Sequence, residues 1–449
     1  MKKILIANRG EIARRVIRAC RELDLTTVAV YSEADEEALH VREADEALGI
    51  GKAHARHSYL NIEAMIGAAR EAGADAIHPG YGFLSESARF AEACADAGIV
   101  FVGPSADAIA AMGDKAAARR LAREVDVPVV PGGDASSDVE ASLATAAEIG
   151  YPVMVKAAAG GGGRGIRTAR DADELRDALP AAAREAEAAF GDSTLYIEKL
   201  LEKPRHVEVQ VMGAGDGEVI HLYERECSLQ RRRQKLMEES PSPGLDPPTR
   251  DAMAAAAVRL AAAVGYVGAG TVEFLVDQEE GFYFIEMNTR LQVEHGVTEM
   301  VTGIDLVRAQ LLVAAGEPLE FTQDDVRIDG SAIEFRINAE DPERDFQPSP
   351  GRLEVAEVPG GPGVRVDTAI YTGYTVVPFY DSLIAKLMVW APTREQALRR
   401  GRRALGEFRI EGIKTTVPLH ARLVDDERVR SGDVHTSYLE ERLEGERVG

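Results

Sequence analysis

The first hundred residues alternate short β-rich runs with segments of helical periodicity, and no other feature restricts the fold as strongly. Extended runs are predicted at residues 3–7, 27–31, 75–78 and 99–102, with amphipathic helices at 11–23, 62–72 and 85–97. Helices between consecutive strands favour parallel pairing, so this region is predicted to be an open parallel α/β domain. The turn at residues 8–11 lacks the Gly-x-Gly-x-x-Gly pattern of dinucleotide sites, which argues against NAD.

The length of 449 residues exceeds what one hydrophobic core supports, so two or three domains are expected. A helix is predicted over residues 105–125, followed by a Pro- and Gly-rich stretch at 128–133. We predict an N-terminal domain at 1–113, a linker helix at 114–130, a small β-containing domain at 131–203 and a C-terminal α+β domain at 204–449. Strand pairs at 206–212 with 218–224, and 271–276 with 281–288, give the last domain a largely antiparallel sheet.

Charge and composition exclude several classes of protein. The net charge of −23 disfavours nucleic acid and anionic membranes as partners. No apolar run approaches the roughly 18 to 20 residues of a membrane helix, and the N-terminus lacks a secretory signal. The three cysteines form no Cys-x-x-Cys pair, so neither disulfides nor a zinc site are expected, and the chain is predicted to be cytoplasmic.

Two basic or glycine-rich segments each allow two interpretations. The glycine run at 160–165 follows Lys156 and lies between predicted strands, so it is either a flap over phosphate groups or a plain mobile loop. It is not a Walker P-loop, because the Gly-Lys-Ser/Thr ending is missing. The run at 230–235 is either a solvated basic patch or a phosphate-binding segment.

Alternating polar side chains predict one polar floor on the C-terminal sheet. If residues 284–294 are extended, Glu286, Asn288, Arg290, Gln292 and Glu294 share a side. The alternation recurs at 206–210 and 334–338, and Glu273 lies in the strand that pairs with 282–288. Carboxylates and an amide without thiolates suit Mg²⁺, with Glu273, Glu286 and Asn288 as candidate ligands, although an ordinary solvated strand face is the alternative.

The motifs, taken in order, closely resemble those of the biotin carboxylase family of ATP-grasp enzymes over the whole chain. They lie at residues 6–13, 76–86, 112–115, 160–165, 204–208, 284–295 and 335–341. The resemblance implies an ATP-grasp lid at 131–203 and the joining of bicarbonate to biotin with MgATP, giving carboxybiotin, ADP and phosphate. It assigns to ATP the residues Lys115, Lys156, Gly160, Gly161, Gly162, Gly163, Gly165, Glu198, Lys199, Leu201, His206, Gln230, Glu273 and Glu286.

The resemblance also assigns the chemical steps. Bicarbonate is expected at Arg290, Gln292 and the backbone of Val293, with Glu294 as general base and Lys235 paired to the carboxyphosphate intermediate. Arg336 is expected to stabilise the developing biotin oxyanion. Tyr81, Gly82 and Arg336 are expected to line the biotin pocket, and Glu273, Glu286 and Asn288 to hold two Mg²⁺ or Mn²⁺ ions.

The expected partners are a biotin carboxyl carrier protein, carboxyltransferase subunits of an acetyl-CoA or related acyl-CoA carboxylase, and a second copy of the chain. The carrier is expected to be a separate protein, because no Met-Lys-Met sequence is present. Arg18, Glu22 and Arg365 match the charged positions of the family's dimer interface, but Pro362 replaces a common aromatic residue. The resemblance therefore implies a homodimer, with one departure from the family pattern at its interface.

Two further positions depart from the family pattern. Arg233 stands where histidine is frequent and is expected to alter nucleotide contacts; Gly296 replaces proline and is expected to loosen the end of the site strand. Two other functions remain open. One is an ATP-grasp ligase acting on another carboxylate, and the other is a nucleotide-binding subunit without catalysis.

Overall fold

The N-terminal region is built on a five-stranded sheet. The computed structural model describes residues 1–135, 138–157, 167–190, 195–278 and 281–448. Its first strands are β1 (Lys3–Ile6), β2 (Thr26–Ser32), β3 (Glu46–Gly51), β4 (Ala76–His78) and β5 (Val100–Phe101). They pair in the order β3-β2-β1-β4-β5, and every neighbouring pair is parallel, which confirms the predicted open parallel sheet. Sequence reasoning missed β3, because Glu-Ala-Leu-Gly-Ile-Gly has little β propensity.

Helices cover this sheet and lead to the next region. They are α1 (Gly10–Glu22), α2 (Leu39–Glu43), α3 (Ile62–Ala72), α4 (Ala88–Asp96), α5 (Ala106–Gly113) and α6 (Lys115–Glu124). The single helix predicted over 105–125 is wrong, because the chain breaks at Asp114. The Asp114 carboxylate accepts from the backbone N–H groups of Ala116 and Ala117, which starts α6 as a separate helix.

A four-stranded antiparallel sheet follows. Its strands are β6 (Gly132–Ala135), β7 (Val153–Ala157), β8 (Arg167–Ala169) and β9 (Leu195–Lys199), in the order β6-β9-β7-β8. Helices α7 (Val139–Ile149) and α8 (Ala172–Phe190) pack on it around Leu143, Val155 and Ile197. The predicted glycine flap, Gly160 to Gly165, lies outside the described residues.

The C-terminal region contains the largest sheet. Its strands are β10 (Arg205–Gly213), β11 (Val219–Arg231), β12 (Gln234–Ser240), β13 (Gly268–Val276), β14 (Phe282–Asn288), β15 (Ser331–Asn338), β16 (Glu340–Asp341), β17 (Gln347–Pro348), β18 (Gly351–Arg352), β19 (Val355–Glu357), β20 (Val364–Thr368), β21 (Thr375–Val376), β22 (Leu383–Ala391) and β23 (Arg409–Glu411). Eight of them pair antiparallel in the order β14-β13-β10-β11-β12-β15-β22-β20, as the predicted strand pairs require.

The remaining helices pack on this sheet and at its ends. They are α9 (Pro247–Ala263), α10 (His295–Thr302), α11 (Leu306–Ala314), α12 (Arg394–Glu407), α13 (Val417–Leu423), α14 (Glu427–Ser431) and α15 (Tyr438–Val448), with short 3-10 turns at Ala55–His57, Gln323–Asp325 and Pro342–Arg344. Among the helices in the described ranges, none offers an apolar segment that could span a bilayer.

The polar floor exists, but it is built differently from the prediction. Strand β14 ends at Asn288, and Glu294 lies directly before α10, so 289–294 does not continue as a strand. The loop still returns its polar side chains to the floor. Glu208, Gln210 and Glu334 are fully buried, so the interpretation as a solvated strand face is wrong.

Candidate active site

A cleft of about 530 Å³ opens between the polar floor and the turn after β1. From the predicted site it is lined by Tyr81, Gly82, His206, Lys235, Glu273, Glu286, Asn288, Arg290, Gln292, Val293 and Arg336. Residues from three distant parts of the sequence therefore meet in one cavity. Glu294 and Gln230 are buried next to these residues, outside the lining.

Lys235 is the electrostatic centre of the cleft. Its Nζ donates to Glu208, at 2.9 Å to Glu273 Oε1 and at 2.7 Å to Glu294 Oε1. Burial alone lowers the pKa of Lys235, but the three carboxylates outweigh it and raise the pKa well above its usual value. The ammonium is therefore permanently charged and aimed into an acidic cluster that lies beside open space.

Glu294 is fully buried and held between two cations. Arg336 Nη2 donates to Glu294 Oε2 at 2.9 Å, opposite the contact with Lys235. Burial raises the pKa of Glu294, but the positive charges of Lys235, Arg336 and Arg225 lower it by a larger amount. The pKa of Glu294 is therefore held well below its usual range. Arg336 also donates to Glu238 at 2.5 Å, and burial raises the pKa of that carboxyl to about 7 despite the opposing effect of Arg336.

The candidate metal ligands occupy facing strands. Glu273 on β13 is directly opposite Glu286 on β14, and Asn288 Nδ2 donates to Glu273 Oε1 at 2.9 Å. Lys115 Nζ lies 2.9 Å from Glu286 Oε2, and His206 Nε2 lies 3.0 Å from Glu273 Oε2. Two carboxylates and an amide oxygen, with protein cations now balancing their charge, form a donor set that fits a hard divalent cation.

A second possible group of metal ligands shares Glu273 with the first. His206, Glu208 and Glu273 also bring potential ligand atoms close together in the buried floor. Glu208, however, already accepts from Arg225 and Lys235, so its charge is balanced without an ion.

Arg290 organises the loop after β14. Its guanidinium donates to Glu86 Oε2 at 2.9 Å, to Gln292 Oε1 at 2.9 Å and to Asn288 Oδ1 at 3.1 Å. His295 Nδ1 lies 2.8 Å from the Gln292 carbonyl oxygen, so this nitrogen carries the proton and donates it. Burial lowers the pKa of His295 to about 3, so the ring is neutral. The loop thus offers an anion site made of a guanidinium, an amide and fixed peptide groups.

The ATP residues assigned to the lid sheet lie apart from the cleft. Lys156 Nζ donates to Glu198, which also accepts from Arg119 of α6. Lys199 Nζ donates to the carbonyl oxygens of Gly150, at 3.0 Å, and Tyr151, at 2.9 Å. Leu201 follows β9 and does not line the described cleft. These contacts join the lid strands to each other and to α6.

The opposite wall holds the predicted biotin residues. Tyr81 and Gly82 follow β4 and line the cleft near Arg336. The Tyr81 hydroxyl donates to Glu11, and burial together with Glu11 raises the pKa of Tyr81 well above its usual value.

Several residues that shape the site were not assigned from the sequence. They are Glu11, Glu86, Glu208, Arg225, Glu238, His295 and Lys386. Glu208 could have been found, because it belongs to the polar alternation of β10. Lys386 could also have been found, because it is a lysine within the apolar run of β22. Glu11 and Glu86 come from distant segments, and only the tertiary structure brings them to the site.

The departures from the family pattern have structural consequences. Arg232 and Arg233 form the two-residue turn between β11 and β12, with φ of 48° and 67°, and Arg233 lines the cleft. The expectation of a loosened strand at Gly296 is wrong, because this residue lies in the first turn of α10. A Cβ atom there would lie 2.2 Å from Met388 Sδ, so glycine leaves the space that Met388 fills. Pro362 is exposed, whereas Arg18, Glu22 and Arg365 line a surface depression of about 290 Å³.

This architecture, a four-stranded antiparallel sheet beside an eight-stranded sheet with a polar floor, is that of ATP-grasp enzymes. Family models match at residues 1–109 (biotin carboxylase, N-terminal domain), 114–322 (carbamoyl-phosphate synthase L chain, ATP binding domain) and 334–441 (biotin carboxylase C-terminal domain). The chain belongs to the biotin carboxylase family.

Individual relatives cover nearly the whole chain. Biotin carboxylase 1 of Bacillus subtilis is 55% identical over 98% of both chains. The biotin carboxylase of a Nostoc species is 54% identical, again over 98% of both chains. The biotin carboxylase domain dimer of Hydrogenobacter thermophilus 2-oxoglutarate carboxylase, solved with MgADP, ADP and bicarbonate, has a TM-score of 0.89 and 51% identity over 98% and 97% of the two chains.

Proposed function

We propose that this protein uses ATP and bicarbonate to carboxylate biotin carried on a biotin carboxyl carrier protein. The observation that carries the proposal is the joint placement of Lys235, Glu294 and Arg336 beside Arg290 and Gln292 at one cleft. A ligase acting on another carboxylate needs the nucleotide and metal residues but not this set. A nucleotide-binding subunit without catalysis needs none of these five residues.

The first step joins bicarbonate to the γ-phosphate of ATP. Arg290, Gln292 and the Val293 N–H hold bicarbonate, and Glu294 removes its proton as an oxygen attacks phosphorus and ADP leaves. Glu294 is reached only when bound anions draw Lys235 or Arg336 away from it. Losing either cation raises the pKa of Glu294 and makes it a stronger base at the moment of attack.

The second step transfers the carboxyl group. Carboxyphosphate, paired with Lys235, breaks down to CO₂ and phosphate, and the phosphate takes the ureido proton of biotin. The biotin nitrogen then attacks CO₂, while Arg336 stabilises the oxyanion on the ureido group and Tyr81 and Gly82 hold the ring system. Glu238 and Glu294 fix the guanidinium of Arg336 before biotin arrives.

We further propose that Glu273, Glu286 and Asn288 hold two Mg²⁺ ions, with Mn²⁺ as an alternative. Bound cations would neutralise the phosphate charge during transfer and replace Lys115 and His206 at these carboxylates. Lys115, Lys156, His206 and Gln230 would then contact the nucleotide, with the glycine run at 160–165 as the lid and Glu198, Lys199 and Leu201 at the adenine. The facing pair of carboxylates supports this proposal.

Domain limits, assembly and location are also proposals. The limits 1–113, 114–130, 131–203 and 204–449 are supported by the three largest sheets, which are separate from one another. A homodimer is supported by the dimer of the Hydrogenobacter relative. Separate carrier and carboxyltransferase proteins are proposed from the likeness to relatives named as biotin carboxylases over 98% of their length. A cytoplasmic location is supported by three free, buried cysteines. Streptavidin binding of the protein after coexpression with a biotin ligase would contradict the separate carrier.

The experiment that tests the function is ADP release from MgATP by the purified protein, measured with and without bicarbonate and with and without free biotin. We expect release to require bicarbonate and to increase with biotin. Release that ignores both compounds would favour a different ligase. No release together with tight ATP binding would favour the subunit without catalysis.

A further inference from the structure

Lys386 is a fully buried lysine that the mechanism above does not use. It lies in β22, within the apolar run Leu-Ile-Ala-Lys-Leu-Met-Val-Trp-Ala, opposite Arg336 on β15 and Asp367 on β20. A buried ammonium without partners is strongly destabilising, so its contacts reveal what it serves.

The Lys386 ammonium connects two walls of the cleft. Its Nζ donates to the Val293 carbonyl oxygen at 2.9 Å and lies 3.4 Å from Glu11 Oε1. The same Glu11 oxygen accepts the hydroxyl proton of Tyr81. One side chain outside the cleft lining therefore supports the loop of the bicarbonate subsite directly and the wall of the biotin subsite through a single carboxylate.

Charge neutralisation explains only part of this arrangement. Burial lowers the pKa of Lys386, but Glu11, Glu334 and Asp367 raise it above its usual value, so the group stays charged. These carboxylates need a cation nearby, yet they do not require that cation to bind the Val293 carbonyl. Asp367, 3.9 Å from Nζ, is a partner in charge alone, since it contacts neither substrate subsite.

Two consecutive peptide groups of the loop are fixed in this way. The Gln292 carbonyl, in the peptide that carries the Val293 N–H, accepts from His295, and the Val293 carbonyl, in the next peptide, accepts from Lys386. Fixing both peptides restricts the orientation of the Val293 N–H before an anion binds. Such preorganisation increases affinity, because binding then needs no further ordering of the loop.

We propose that Lys386 is a positioning residue that orients the Val293 peptide for bicarbonate and, through Glu11, orients Tyr81 for biotin. The inference rests on the proposed function, because it takes bicarbonate and biotin as the occupants of these subsites. In this proposal a single buried cation, the Lys386 ammonium, supports both the bicarbonate subsite and the biotin subsite.

The primary test is Lys386→Met, which keeps a long side chain but removes the donor. We expect the KM for bicarbonate to rise about 10- to 100-fold, as for loss of a hydrogen bond to a charged group, and the KM for free biotin to rise as well. The KM for ATP should stay within about twofold, since Lys115, His206 and the metal ligands do not contact Lys386. A merely structural defect would not separate these three constants. An unchanged KM for bicarbonate would overturn the proposal.

Two further variants divide the effect. Glu11→Leu removes the link to Tyr81 and leaves the bond to Val293, so it should raise the KM for biotin more than the KM for bicarbonate. Asp367→Asn is the matched control, because it alters the charge next to Lys386 without touching either wall, and both KM values should stay near wild type. An equal rise in the KM for bicarbonate in Asp367→Asn would overturn the proposal.

The Glu11 variant also carries the test if Lys386→Met does not fold. A selective rise in the KM for biotin in Glu11→Leu supports the link, and equal KM values for biotin in this variant and the wild type overturn it. Wild-type protein that shows no bicarbonate-dependent ADP release would contradict the proposed function itself, which is a different result from normal wild-type activity with unaltered variants.

Discussion

Glu294, the proposed general base, is a buried anion that two cations stabilise. In the structure its two oxygens accept from Lys235 and Arg336, and these cations hold its pKa well below the usual range after burial has raised it. A carboxylate in this state is a weak base. Its strength depends on whether the two cations remain bound to it or turn to substrate anions, so base strength is coupled to substrate binding.

Replacing Glu294 by glutamine should therefore abolish most turnover. The amide cannot take a proton, so we expect kcat for bicarbonate-dependent ADP release to fall about 10²- to 10⁴-fold, with ATP affinity retained. Glu238→Gln is the matched control, because Glu238 is also buried and bound to Arg336 but has no role as base. A comparable kcat in Glu294→Gln and the wild type would contradict the assignment.

Glu238 makes a separate prediction about stability and pH. Burial raises its pKa to about 7 in the folded protein, above the usual value of about 4.3 in an unfolded chain. The folded state therefore binds more protons between these values, so this group's contribution to stability is present below about pH 4 to 5 and is lost as pH rises toward about 7. Glu238→Gln should lose this dependence.

The measurement is the difference in the free energy of unfolding between Glu238→Gln and the wild type at several pH values. As pH rises from about 5 to about 7.5, the free energy of unfolding of Glu238→Gln should increase relative to that of the wild type. A difference that does not change with pH, or changes in the other direction, would show that Glu238 titrates normally in the folded protein.

At the scale of elements, the break between α5 and α6 has a functional consequence. Asp114 caps α6 through two backbone N–H groups, and Lys115, the next residue, reaches Glu286 in the floor. The cap thus fixes the position of a lysine proposed to bind ATP. In a continuous helix over 105–125, the Lys115 side chain would point in a different direction.

Asp114→Ala should lower the free energy of unfolding, the usual effect of losing an N-cap, and should also raise the KM for ATP severalfold. Ser105→Ala is the matched control, because Ser105 caps α5 through Ala108 but has no contact with the floor. It should lose similar stability with an unchanged KM for ATP. Equal KM values for ATP in both variants would mean that the cap at Asp114 is only structural.

At the scale of the whole molecule, a charged depression of about 290 Å³ lies on the surface, separate from the cleft lining. It brings together Arg15 and Arg18 of α1, Glu299 of α10, and Arg365 and Asp367 of β20. Arg365 is bound to Glu299 and Asp367, whereas the Arg18 side chain is 46% exposed. The Arg18 guanidinium is therefore available to reach a second copy.

Arg18→Glu should weaken a homodimer about tenfold or more, because it reverses a half-exposed charge in the proposed interface. The change also removes the 3.8 Å ion pair between Arg18 and Asp367. Sedimentation over a range of protein concentrations measures the effect. Arg399→Glu is the control and should leave association unchanged, because it reverses the charge of an even more exposed arginine on α12 that is also in an ion pair. Dimers of equal strength in both variants would place the interface elsewhere on the surface.

The sequence by itself determined the parallel pairing of the N-terminal sheet, the predicted antiparallel strand pairs and the residue types of the floor, but neither β3 nor the break between α5 and α6. These features depend on local periodicity, on turn residues and on motifs with fixed spacing, all of which act within short stretches of chain. The assigned residues that line the cleft came from such motifs.

The tertiary structure alone decided how those residues are charged and held. The break at Asp114, the end of β14 at Asn288, the burial of the polar faces and the roles of Glu11, Glu238 and Lys386 all depend on contacts between segments far apart in the chain. The periodicity of the sequence does not predict that Lys386 contacts Val293 and Glu11. Desolvation and Coulomb energies depend on distances in space and not on separation along the chain.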